Sequence, residues 1–86
     1  FMLRMAVPVK QLQGAADPGG FSVIIGDNRA LDRAAPIRAA LPAVARAAII
    51  NRRDRSTELV VRFVPGQSPA YLVTASDAAL EVLIEQ

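Results

Sequence analysis

The sequence predicts a mainly β fold: a small antiparallel β-sandwich of two pseudo-symmetric halves, with a loop or short helical turn in the middle. Three observations carry this. Short runs rich in β-branched, aromatic and leucine residues recur along the chain, each closed by Gly, Pro, Asn or Asp. The clearest run, residues 58–64 (ELVVRFV), alternates, with Leu59, Val61 and Phe63 on one face and Glu58, Val60, Arg62 and Val64 on the other. An order of strand, proline, strand, turn and strand also appears at both ends of the chain.

Taken in order, residues 1–9 (FMLRMAVPV) read as a strand interrupted by Arg4, with Pro8 marking an edge or a strand end. Asp17-Pro18-Gly19-Gly20 is a turn signal, and residues 21–25 (FSVII) form the next strand, closed by Gly26-Asp27-Asn28. Residues 29–50 are alanine-rich, which favours helix by propensity. Pro36 and Pro42 oppose it, because each lacks an N–H and clashes with the preceding turn. A loop with one helical turn is expected there. Val44–Asn51 (VARAAIIN) fits either a strand or a helix; strand is the better reading, with Ile49 and Ile50 its firmest part. After residues 58–64, residues 65–69 (PGQSP) make a turn by composition, residues 70–75 (AYLVTA) a strand and Ser76-Asp77 a short turn. The last strand, residues 80–84 (LEVLI), turns Leu80, Val82 and Ile84 inward. In the internal echo Leu3-Arg4-Met5 matches Val61-Arg62-Phe63, and residues 21–25 match residues 80–84.

The 86 residues make one domain, and at 52% hydrophobic and 21% charged the chain should bury a core rather than stay disordered. No apolar run reaches the ~18 residues of a membrane span. No signal peptide is present and Phe1 is not a natural start, so the chain reads as a segment of a longer protein. Nine arginines and one lysine against eight acids leave a net charge of +2, a weak pull on polyanions. Without cysteine there is neither a disulfide framework nor a thiolate metal site.

Catalytic chemistry is thin. Histidine and cysteine are absent, and none of Ser22, Ser56, Ser68 and Ser76 lies in a nucleophile motif. Asp27 and Asp32 are the nearest carboxylate pair, in one polar loop, and read as solvated. The glycines form no phosphate cradle, and Asp27-Asn28-Arg29 lacks the spaced oxygens of a calcium loop. The chain is therefore expected to be no enzyme, with no cofactor and no metal.

The dense charge cluster is Arg52-Arg53-Asp54-Arg55, in the turn before the best strand. Arg52, Arg53 and Arg55, with Arg62 beyond them, are the candidate ligand-binding residues, since a guanidinium fork grips carboxylates in two-point fashion. The competing reading is a solvated turn kept soluble by charge. Nucleic acid is not an expected partner: Phe1, Phe21 and Phe63 belong to core-facing strands, leaving only Tyr71 for base stacking.

The strand pattern of residues 1–25, followed by Ala43-Val44 through Ile49, residues 58–63, 70–73 and 80–84, resembles an AMIN domain over nearly the whole chain, lacking that family's opening strand. The resemblance implies a compact β-sandwich of the bacterial cell envelope, periplasmic, without catalytic residues and associated with peptidoglycan binding and targeting. The chain departs from the family's frequent Pro-Asp-Arg at Pro18-Gly19-Gly20, and reverses the charges flanking the later strand at Glu58 and Arg62, so no family contact is transferred to these positions. The expected partner is peptidoglycan. The alternative is another envelope protein, as in a pilus or secretin complex, docked on outward apolar residues (Val60, Val64, Leu72), by strand addition or as a homodimer.

Overall fold

The computed structural model describes residues 1–33 and 41–85. It contains β1 (Met2–Arg4), β2 (Leu12–Asp17), β3 (Gly20–Ile25), β4 (Val44–Asn51), β5 (Thr57–Phe63), β6 (Tyr71–Ser76) and β7 (Ala79–Ile84). They form two antiparallel sheets, ordered β1-β7-β6 and β2-β3-β5-β4. Among the described residues no helix is long and apolar enough to cross a membrane.

Alternation decides which side chains meet between the sheets. Leu59, Val61 and Phe63 on β5 face inward, as do Phe21, Val23 and Ile25 on β3 and Leu80, Val82 and Ile84 on β7, all buried. Fully burying a side chain of this size contributes about 1.5–3 kcal/mol, so these strands supply most of the stabilisation. β4 is a strand, its pairing with β5 shifted by a bulge between Val44 and Arg46. Aligned packing of the aromatic rings closes one end: Tyr71 stacks on Phe21 with centroids 4.0 Å apart, and Phe63 is tilted against both.

The two halves are related as the internal echo implies. Matching β1, β2 and β3 with β5, β6 and β7 turns the order β1-β7-β6 into β5-β3-β2, with β4 left over at the edge. Each half thus gives its first strand to the other half's hairpin. The registers agree as well: Leu3 faces Leu80 and Val61 faces Phe21, the residues aligned by the echo.

Two elements refine the sequence expectation, and a third lies largely outside the described residues. β2 was implied by the internal echo but given no residues; apart from Leu12 its residues LQGAAD are small or polar, all are exposed, and backbone pairing to β3 holds them in the strand. β1 stops at Arg4 rather than running to Val9, because Met5 makes a single bridge to Ala30 and Ala6 turns its N–H to the Arg29 carbonyl. The expected middle loop or helical turn falls largely on residues 34–40, outside the described residues. Leu41-Pro42-Ala43 forms a turn into β4, with the Val44 N–H on the Leu41 carbonyl at 3.0 Å.

Candidate functional site

Three segments meet at the end of the sandwich where β3 finishes and β5 begins: Ala6-Val7, the stretch 26–29 after β3, and the β4–β5 hairpin. The hairpin closes with Asn51 opposite Thr57 and the Arg52 N–H on the Ser56 carbonyl at 2.8 Å, leaving a three-residue loop. Such loops end in a left-handed residue, ordinarily glycine. Here that place is held by Arg55, at φ 67°. Its carbonyl accepts the Asn28 N–H at 2.9 Å, which ties the hairpin to the stretch after β3.

Beneath the surface lies a buried polar network. Asn28 is only 7% exposed; its Nδ2 donates to the Val7 carbonyl at 2.9 Å, and its Oδ1 accepts the N–H groups of Val7 and Arg29 at 3.2 and 3.0 Å. The fully buried Thr57 hydroxyl lies 2.9 Å from both the Asn28 carbonyl and Asn51 Oδ1, sharing one proton between two acceptors. Asn51 Oδ1 also accepts the Ala30 N–H at 2.9 Å. Among the described residues no buried side-chain polar atom lacks a partner, so the floor is fully satisfied and rigid.

Above this floor opens a depression of about 660 Å³, whose walls carry Arg29, Arg52, Arg55 and Asp27. Of the sequence candidates, Arg52 and Arg55 are brought together here, while Arg53 in the same hairpin is not part of the lining. Arg62 lies near the far end of β5, five residues or roughly 17 Å at strand spacing beyond its first residue, Thr57. There its Nη1 grips both Asp17 oxygens at 2.6 and 2.7 Å. The Gly19 N–H first, and Arg62 second, hold the Asp17 carboxyl below its ordinary range. Asp27 and Asp32 do not converge either: Asp27 is in the depression, whereas Asp32 accepts three bonds from Arg4, the shortest 2.7 Å.

Asp54, which lies within the arginine cluster, is held by Ser56 rather than by an ion pair with an arginine. Its Oδ1 accepts the Ser56 hydroxyl at 2.5 Å and the Ser56 N–H at 3.1 Å. The Ser56 hydroxyl is the largest cause of its lowered pKa, with Arg52 a smaller one. The ion pairs among the described residues are Arg4–Asp32 and Arg62–Asp17, so Arg29, Arg52 and Arg55, which line the depression, are in none of them. Charge-assisted, two-point anion binding is what such a set of guanidiniums can do.

Sequence reasoning missed Arg29, a lone arginine ahead of an alanine-rich stretch, and the network of Asn28, Asn51 and Thr57. Asn28 reads as a turn residue after a strand, and nothing in its neighbours shows that a distant Val7 will take up its amide. A second, apolar depression of about 430 Å³ lies between β2 and β6, floored by Phe21 and Val23. No protein-family model matches the chain, and neither does any curated protein or solved structure.

Proposed function

We propose that this chain is a non-catalytic binding and targeting module of the bacterial cell envelope, periplasmic and peptidoglycan-associated, which takes carboxylates of the wall peptide in the arginine-lined depression. The observation that carries the reading is the convergence of Arg29, Arg52 and Arg55 on one concave site, none of them in an ion pair among the described residues. The backbone at Arg55 adds to it. A left-handed residue with a Cβ costs about 1–2 kcal/mol, and glycine would fill that place without the cost. An arginine kept there has a use for its side chain. The resemblance to AMIN domains supports the same reading.

The test is co-sedimentation with purified peptidoglycan. The parent chain should pellet with the wall, less so at high salt. Changing Arg52, Arg53 and Arg55 together to serine should abolish this with little change in thermal stability. Arg55→Gly alone should reduce pelleting while leaving the melting temperature equal or higher, which separates ligand loss from misfolding. Undiminished pelleting in the triple variant would remove the depression from the mechanism.

A second reading has its own support. β2 is an edge strand with no charge from Leu12 to Ala16, next to the apolar depression shared with β6. Natural edges are usually blunted by charge or proline, and this one is open to strand addition by another envelope protein. Absence of wall binding by the parent chain would put this docking role first.

A further inference from the structure

We propose that the depression recognises a zwitterionic amino-acid head group, a carboxylate and an ammonium on one carbon, rather than an anion alone. This rests on the wall-binding reading above and names the chemical group it would bind. The observation is Asp27. It lines the same depression as Arg29, Arg52 and Arg55, and is in no ion pair among the described residues. In a site built only for anions, an unpaired carboxylate repels the ligand. Opposite a ligand ammonium it becomes a charge-assisted acceptor. Arginines from two segments and an aspartate around one depression suit a ligand carrying both charges.

The backbone ties together the two segments that carry those charges. Asp27 at φ 47° and Arg55 at φ 67° are both left-handed. The peptide N–H directly after Asp27, that of Asn28, donates to the Arg55 carbonyl at 2.9 Å. Asn28 is itself clamped to both polar groups of the Val7 backbone. Asp27 and Arg55 are therefore carried on one hydrogen-bonded frame, the preorganisation a two-charge ligand needs. A depression of about 660 Å³ lies within the roughly 300–1,000 Å³ range of small-ligand sites, ample for an amino-acid head group.

The experiment titrates the chain with the wall tripeptide L-Ala-γ-D-Glu-meso-diaminopimelate, and with the same peptide acetylated on its distal amine. Acetylation removes the ammonium and keeps every carboxylate. The acetylated form should bind about tenfold more weakly, the scale of one charged hydrogen bond. Asp27→Asn, which tolerates the left-handed backbone, should lose the same factor for the free peptide and nothing further for the acetylated one. Arg55→Gly should weaken both. If free and acetylated peptides bind alike, or Asp27→Asn leaves the free peptide unaffected, the ammonium is not read and the inference falls. Wall co-sedimentation of the parent chain then shows that the broader reading survives. If the wall pellets the chain but neither peptide binds, the inference also falls. If neither wall nor peptide binds, both readings fall.

Discussion

The two ends of β5 carry arginines in opposite circumstances. At one end Arg62 is held by Asp17, and the pair staples the β2–β3 hairpin to the neighbouring strand. At the other, Arg55 is the last residue of the hairpin loop ahead of β5 and lines an open depression with Arg29 and Arg52, none of them paired with an acid among the described residues. What lies beneath also differs. The Arg62 end rests on a cluster of aromatic rings, the Arg55 end on amides and a hydroxyl. An arginine whose carboxylate partner is built in serves the fold. One held over a rigid polar floor with no partner is available to a ligand.

Three measurements break or sharpen that contrast. The largest effect belongs to the aromatic end. Phe63→Ala removes a buried ring that packs on Phe21 and Tyr71, and should cost about 3–5 kcal/mol in denaturant unfolding. Val60→Ala, on the outer face of the same strand, should cost much less, and equal losses would mean that β5 is covered on both sides.

At the polar end, Asn28→Ala removes the buried amide that pairs with both polar groups of the Val7 backbone and should cost about 1–3 kcal/mol. A loss near zero would show that water takes over these bonds and that the floor is not rigid.

The smallest effect concerns the staple. The folded state holds the Asp17 carboxyl below the ordinary aspartate value, so the unfolded chain binds the proton more readily and stability rises with pH across that window. The contribution is complete above the ordinary aspartate range and is lost as pH falls through the lowered value. Asp17→Asn should lower stability slightly at neutral pH, where the contribution is complete, and converge with the parent in acid, which flattens the acid limb; the loss is small because the pair is exposed. An unchanged acid limb would mean that the pair contributes nothing.

The fold was legible where side-chain pattern and backbone pairing agree. β3, β5 and β7 announce themselves because each buries one face, and β5 was assigned to the correct face residue by residue. The residues of β2 were not legible, because a strand that buries nothing has no pattern to read: its place is set by the hairpin turn and by hydrogen bonds to β3. The candidate site divides in the same way. Arg52 and Arg55 stood out as a cluster, whereas Arg29 and Asp27 join them only through tertiary structure. That Arg53 is left out is a matter of which way one loop residue turns, and spacing does not encode it.

The exchange of first strands between the two halves has a kinetic consequence. Neither half can complete a sheet alone, since β1 must find β7 and β5 must find β3. The Leu3–Leu80 pairing closes nearly the full length of the chain, which places this fold among the slow, high-contact-order class. During collapse the first strand to form meets two look-alike edges, those of β3 and β7, and the wrong choice is a trap. The edges differ where Gly20 and Ala79 stand at matching places, opposite Arg62 and Arg4. A Cβ at Gly20 would collide with the Val61 carbonyl, so the correct partner of β3 approaches closer than any side chain permits. A methyl group at Gly20 should therefore do more than destabilise: it would erase a difference by which the chain tells its two halves apart, and refolding yield should drop before the native state is lost.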